Sequence, residues 1–538
     1  MLRKLSAVIC SVVLLSAGWL GVGGFTLLAA FVPLLWISDS CDASWRSWRR
    51  VFGWALLTFV LWNAATVWWV WNATWVGPIA ATLASSTLNM IAFMLYHTAA
   101  KRSSKLFAYV VLVSAWIATE YWYTVGEFSF PWLILGNGFC EVPWAVQWYE
   151  YTGVFGGSLW VLLSNILIFE SLKQRKKIVA AAAAAVAVLP LALSLLIYFT
   201  YSHHLSSERI RVSVVQPNVD CYEKFGNTAA EQRRNLLELL RETPADVQFI
   251  AMPETALPDR DMDEARLDSE PMLDSIASIL RARDSKATVV TGASTVRFYG
   301  GRKLTKTARY MRGGFWDIYN SAIAVTADGP QGVYHKSRLV IGVEKTPLPK
   351  LFEWLEFLVI DLGGTVGQLG VGDKAEVFAS GEGDTAVEVA PAICYEALYG
   401  DFMGGFVREG AQALLVISND GWWGDTPGYK RLFAFCRLRA VEHRRAVARS
   451  ANTGISGFID ERGDDGERMG WDERGVLTGT VTLNDKTTFY TRHGDYLGRI
   501  AELLMLLSML GLFADTVRRR IHTASTAAEG SSRRRSRH

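Results

Sequence analysis

The sequence predicts a multi-span α-helical membrane domain joined to an α/β domain. Eight transmembrane helices are expected, seven before residue 201 and one after residue 495. Three observations carry this. Apolar runs crowd the first 200 residues. Lys and Arg fall on every second connection between those runs. Residues 201–495 then turn charge-rich, with short β-leaning runs alternating with helical patterns. At 538 residues the chain is too long for one core.

The N-terminus, Met1-Leu2-Arg3-Lys4 followed by Leu5–Leu20, has the form of a signal peptide ending in Ser16-Ala17-Gly18. A second apolar run, Phe25–Ile37, follows at once across Gly21, Gly23 and Gly24, so the segment is read as a retained span. Val51–Trp75, Ile79–Ala100, Leu106–Val125, Tyr151–Phe169 and Ile178–Thr200 come next. Each is about long enough to cross a ~30 Å hydrocarbon core as a helix. The clusters Arg3/Lys4, Arg46/Arg49/Arg50, Lys101/Arg102/Lys105 and Lys173/Arg175/Lys176/Lys177 alternate with connections that lack Lys and Arg, around Gly21–Gly24, Asn72–Pro78 and Gly126–Tyr149. The positive-inside rule puts the N-terminus in the cytoplasm and the chain after the seventh span outside.

The domains expected are a membrane domain over 1–200, a catalytic α/β domain over 201–495, a last span over 496–517 and a basic, disordered cytoplasmic tail over 518–538. Candidate strands are Ile210–Gln216, Val247–Met252, Thr288–Gly292, Ser321–Thr326, Thr385–Ala390, Ala413–Ser418 and Ala446–Ser450. Asn227–Glu242 and Tyr429–His443 read as helices. Leu351–Leu362, apolar with interspersed acids, reads either as a core helix or as an amphipathic arm at the membrane surface.

Half the residues are hydrophobic and 20% are charged, and the 21 Trp suit membrane interfaces. The net charge of +3 gives no argument for nucleic acid, and none is expected as a partner. Six cysteines without a CxxC spacing speak against a zinc site or a disulfide framework.

The chemistry is expected at Cys394. The apolar run Ala386–Ala392 delivers it to a turn, and a following helix N-terminus would favour thiolate over thiol. Glu254, after the strand-like Phe249–Met252, is a candidate base. Lys336, in Tyr334-His335-Lys336-Ser337, is a candidate oxyanion partner. A free thiol has a pKa of about 8.5 and needs such help near neutral pH. Residues at strand ends can share one crevice. Glu120, after Trp116 and before Tyr121-Trp122, is an intramembrane functional candidate or a polar clamp between helices. His335 and His443 lack the orienting motif of a Cys–His site.

Met252-Pro253-Glu254, Lys336 and Ile393-Cys394-Tyr395-Glu396, in that order, resemble the Glu–Lys–Cys triad of the nitrilase (carbon–nitrogen hydrolase) superfamily. Val215-Gln216-Pro217-Asn218, Tyr319-Asn320-Ser321, Ser418–Gly424 and Arg449–Ser456 add to the resemblance. With the spans and Phe128–Leu133, residues 1–517 resemble the bacterial apolipoprotein N-acyltransferase family. The resemblance implies a periplasmic α-β-β-α sandwich on the bacterial inner membrane, and an enzyme without cofactor or metal, read as a monomer. Its implied reaction moves an acyl chain from a phospholipid to the cysteine as a thioester, then to the N-terminal amine of a diacylated apolipoprotein. Cys394 would be nucleophile, Glu254 base and acid, and Lys336 oxyanion stabiliser. Glu344 and Glu396 would be supporting carboxylates that orient Lys336 or sustain the base. Trp422 and Trp423 would contact acyl chain or headgroup, or pack in the core. Leu339–Glu344 departs from the family's Pro-Phe-Gly before the glutamate, while Glu344 keeps its spacing; Lys345 beside it is a possible competing ion-pair partner. The rival readings are a membrane-tethered amidase and a scaffold with an inactive triad.

Overall fold

The computed structural model describes the chain except residues 74, 202–207, 222–228, 260, 312, 346–367, 382 and 536–538. The expected arm at Leu351–Leu362 lies outside the described residues.

The first 200 residues form helices α1 (Leu2–Ala17), α2 (Val32–Asp39), α3 (Trp45–Val67), α4 (Gly77–Arg102), α5 (Lys105–Val125), α6 (Tyr149–Gln174) and α7 (Lys177–Thr200). Serine hydroxyls start two of them: Ser44 accepts from the Ser47 N–H and Ser104 from the Phe107 N–H. Of the described helices, six are long and apolar enough to cross a membrane, five before residue 201 and Tyr496–Arg519. α1 and the helical segment Gly24–Asp39 are shorter. The third apolar run was expected to reach Trp75, but its helix gives way to a 3-10 turn at Trp68–Asn72.

The basic connections lie at one end of this bundle. Lys173 pairs with Asp39, Lys101 donates to the Asp39 carbonyl, Lys105 pairs with Glu170, and Arg102 donates to Thr516. Two of the connections without Lys or Arg, around Asn72–Pro78 and Gly126–Tyr149, meet the α/β domain instead. Asn72 donates to the Trp423 carbonyl, Ser129 shares a hydrogen bond with Tyr399, and Gln147 donates to the Arg462 carbonyl. The alternation read from the sequence is thus a geometric fact: one end basic, the other carrying the second domain.

That domain has two sheets. The first contains β1 (Arg209–Gln216), β2 (Phe249–Ala251), β3 (Met262–Asp263), β4 (Thr288–Gly300), β5 (Arg309–Met311), β6 (Gly314–Thr326), β7 (Gly329–His335) and β14 (Gly475–Thr482). Its order is β14-β1-β2-β4-β6-β5, with β3 on β4 and β7 on β6. The second runs β13 (Asp465–Met469), β12 (Ser456–Ile459), β11 (Val447–Ala451), β10 (Ala413–Ser418), β9 (Val387–Ile393), β8 (Phe378–Ser380). β1, β2 and β4 are mutually parallel, as are β9, β10 and β11.

Alternation along the strands sets the layers. Val212, Val214, Phe249, Ala251, Val290, Ala322 and Ala324 belong to the core shared with the second sheet. Their neighbours Val215, Ile250, Val289, Ile323 and Val325 face a separate core with α8 (Ala229–Glu242) and α9 (Pro271–Ala282). On the second sheet, α10 (Gly400–Arg408) and α11 (Pro427–His443) complete an α-β-β-α stack. Fully buried β10 reads as a continuous apolar run because both its faces are covered. The strands that the sequence reading missed are short, as β8 and β12 are, solvent-facing, as β13 is, or half-buried, as β7 and β14 are.

α12 (Phe489–His493) leads to α13 (Tyr496–Arg535), whose first part, Tyr496–Arg519, is long and apolar enough to cross a membrane. Helix continues to Arg535, where the sequence reading expected disorder. Extending a formed helix avoids the nucleation cost, and Ala524, Ala527 and Ala528 favour it.

α6 kinks at Gly153, whose φ is +59°. The freed Val154 N–H is capped across the domain boundary by the Glu442 carboxylate at 3.1 Å. A Cβ on residue 153 would lie 2.4 Å from the Tyr490 ring. Gly153→Ala is therefore expected to destabilise the folded protein by ~1–3 kcal/mol. Thermal unfolding in detergent reads this as a lower midpoint.

Candidate active site

Cys394 is the first residue after β9, at φ +50°, and opens a five-residue 3-10 helix to Leu398. A left-handed backbone at a cysteine is strained, and here neighbouring contacts hold it. Glu396 reaches back to the Ile393 N–H at 2.7 Å. Its other oxygen accepts from the Ser337 N–H at 2.7 Å and the Tyr334 hydroxyl at 2.5 Å. One carboxylate thereby ties the Cys394 turn to the segment bearing Lys336. Burial pushes the Glu396 carboxyl up to about 7, against the pull of those donors.

Glu254 follows β2 after Met252-Pro253, and Lys336 is the first residue after β7. The Lys336 Nζ lies 2.8 Å from Glu254 Oε1 and 2.9 Å from Glu344 Oε1, and the residue is 1% exposed. Asn320 in β6 donates to the same two oxygens at 2.7 and 2.9 Å, and the Asn419 N–H donates to Glu254 Oε2 at 3.0 Å. Burial alone would raise the Glu254 carboxyl, but the Lys336 ammonium and the other donors, the Cys394 thiol among them, hold it below its ordinary value. Burial alone would lower Lys336, but Glu254 and Glu344 raise it well above the usual range. The resting site therefore holds a carboxylate and an ammonium.

The thiol corrects one expectation. Burial, and then the Glu254 charge, push Cys394 up, so its resting form is the neutral thiol. Five residues of 3-10 helix supply too small a dipole to oppose this. The Glu254 carboxylate, to which this thiol donates, is the group placed to take its proton in any attack by sulfur.

Of the expected supporting acids, Glu344 touches Lys336, whereas Glu396 acts on the turn. Lys345 does not compete for Glu344; it pairs with Glu127 at 2.9 Å. Trp423 is buried, with ring centroids 5.0 Å from Trp69 and 6.0 Å from Trp132. Trp422 beside it is partly buried against the same core. Glu120 accepts from the Trp116 indole of its own helix at 3.0 Å and from the Leu135 N–H of the following connection at 2.8 Å. His335 stacks on Tyr319 and bonds to Glu264, and His443 bonds to Thr491 and the Gly400 carbonyl. Asn320 had no role assigned from sequence, although a buried-strand asparagine between Tyr319 and Ser321 was a usable signal.

A family model described as carbon-nitrogen hydrolase matches residues 211–489, and one described as apolipoprotein N-acyltransferase N-terminal domain matches residues 11–167. Fold and match together make the α/β part a carbon–nitrogen hydrolase domain. An apolipoprotein N-acyltransferase of Chlorobaculum tepidum is 31% identical over 504 residues, covering 91% of this chain and 92% of its own. One from Geobacter metallireducens is 25% identical over 488 residues, 87% of each chain. A CN-hydrolase superfamily protein from Xanthomonas campestris aligns with a TM-score of 0.34 at 17% identity, over 51% of this chain and 91% of its own. The chain belongs to the apolipoprotein N-acyltransferase family.

Proposed function

We propose that the protein transfers a fatty acyl chain from a membrane phospholipid, through a thioester on Cys394, to the N-terminal α-amine of a diacylated apolipoprotein. The observation that carries this reading is the packing of the nucleophile's turn against the membrane domain. The Tyr395 hydroxyl donates to the Ser129 carbonyl at 3.2 Å, and its ring lies 6.2 Å from Trp132. Trp132 leads on through Trp423 to Trp69, beside the α3–α4 connection. An apolar path thus runs from the bundle to the residue after the cysteine, as a lipid substrate requires.

In the first step Cys394 sulfur attacks the ester carbonyl and its proton passes to Glu254. Lys336 faces the oxyanion, and Glu344 holds Lys336 in place. Collapse expels the lysophospholipid alkoxide, which takes the proton from Glu254. In the second step the α-amine attacks the thioester carbonyl, Glu254 takes an amine proton, and sulfur leaves to recover it. A site closed by aromatic rings lets the amine compete with water.

The reading includes a membrane domain over 1–200, α1 and Gly24–Asp39 as spans that bring the total to eight, and a catalytic domain over 201–495 on the periplasmic side of the inner membrane. The basic end of the bundle supports that orientation. The protein acts as a monomer.

Mass spectrometry of the purified protein after incubation with phospholipid tests this. An acyl adduct on Cys394 that a diacylated lipopeptide discharges is expected, and Cys394→Ala is expected to abolish both adduct and product. Discharge by water alone would make the protein a hydrolase. Full activity in Cys394→Ala would remove the thioester.

A further inference from the structure

A cavity of about 340 Å³ adjoins the site. Thr124 and Val125, the last residues of α5, line it, as does Asp495, the residue before α13. It therefore opens where two spanning helices end, at the depth of lipid headgroups. It also borders the catalytic residues. Ser337 and Gly372 line it; Ser337 follows Lys336, and the Gly372 N–H donates to the Lys336 carbonyl at 3.0 Å. Tyr399, another wall residue, packs edge-to-face at 5.6 Å on Tyr395, next to the nucleophile.

Among the described residues, the charges of this cavity are paired except at Arg338 and the exposed Asp373. Arg408 pairs with Asp401 at 3.2 Å, Lys374 pairs with Glu376 at 3.5 Å, and Asp495 accepts the Tyr490 hydroxyl at 2.5 Å. Arg338 has no carboxylate partner among the described residues. Its guanidinium lies 5.4 Å from the Tyr399 ring and 5.1 Å from the Phe402 ring, and its Nε is buried without a hydrogen-bond partner. Two aromatic faces hold the plane of the guanidinium while its N–H edge stays unused. A planar fork of donors held this way suits phosphate. Asp373, exposed on the same wall, makes the cavity a better host for a phosphodiester monoanion than for a free dianion.

We infer that Arg338 binds the headgroup phosphate of the acyl-donor phospholipid, and so seats its ester next to Cys394. This rests on the acyl-transfer reading above and adds to it the residue that recognises the donor.

The test is single-turnover acylation of Cys394, read by intact mass, with two donors: a phospholipid, and p-nitrophenyl palmitate, an activated ester without phosphate. Arg338→Gln is expected to slow acylation by phospholipid ~10- to 100-fold, the scale of a lost charge-assisted hydrogen bond. The same preparation should react with p-nitrophenyl palmitate within about twofold of the unaltered protein, and Arg338→Lys should recover part of the phospholipid rate. Equal losses with both donors would make Arg338 a structural residue and overturn the inference. So would an unchanged phospholipid rate. If the unaltered protein is acylated by neither donor, the acyl-transfer reading itself fails and takes this one with it.

Discussion

Replacing Lys336 with methionine is expected to slow acylation of Cys394 by ~10²–10³, the usual effect of removing one oxyanion donor. It is also expected to destabilise the fold by ~3–5 kcal/mol, because a buried ion cluster loses its only cation. Glu254 and Glu344 would be left with Asn320 shared between their oxygens and no ammonium to separate them. Without the ammonium beside it, burial raises the Glu254 carboxyl. The pH dependence follows. In the unaltered protein the Glu254 carboxyl is held below its ordinary value, so the cluster's stabilisation is complete above about pH 4.5. It is lost as pH falls through the lowered folded value. The methionine variant raises that carboxyl, so the acid limb of the acylation profile should move to higher pH. Single-turnover acylation across a pH series, with thermal unfolding alongside, measures both effects. A rate within fivefold of normal would remove Lys336 from the chemistry.

Much of this site was legible in the sequence because its parts sit at strand ends. Glu254 follows an apolar β run, Cys394 follows another, and each lies just past the carboxyl end of a parallel strand. Two sheets stacked face to face bring such ends together. Basic clusters likewise sorted the helix ends, since one charge pattern recurs on every second connection. What stayed hidden depends on contacts between distant segments. The sequence offered a helix dipole for Cys394 but not the burial and the Glu254 charge that outweigh it. It placed Glu396 near Cys394 but not its bonds to Tyr334 and Ser337, about sixty residues earlier. It marked Trp423 as a substrate contact or a core residue. The ring is seated among Trp69 and Trp132 of the membrane domain, and no local pattern encodes that neighbourhood.

A second large effect is expected at the Arg449–Asp420 pair. Arg449 in β11 grips Asp420 with both terminal nitrogens, at 2.8 and 2.7 Å, and also donates to the Ile455 carbonyl at 2.6 Å. Both side chains are fully buried. Asp420 opens the turn Asp420–Trp423 after β10, and the preceding residue, Asn419, gives its N–H to Glu254. The pair thus fixes the segment that supplies one donor to the proposed base and carries Trp423. Asp420→Ala strands a buried guanidinium and is expected to cost ~3–5 kcal/mol. Removing both charges, Asp420→Leu with Arg449→Met, takes away the uncompensated ion and should recover most of that stability. It should not recover the full rate, because the Asn419 segment is then held at the carboxylate only by the Asn452 side-chain bond at 3.1 Å and the Asn452 backbone bond to Ser418. Unfolding midpoints and single-turnover acylation of the two variants separate these effects. If the double variant regained both stability and rate, the ion pair would serve the fold alone, and the seating of Glu254 would rest on Lys336 and Asn320.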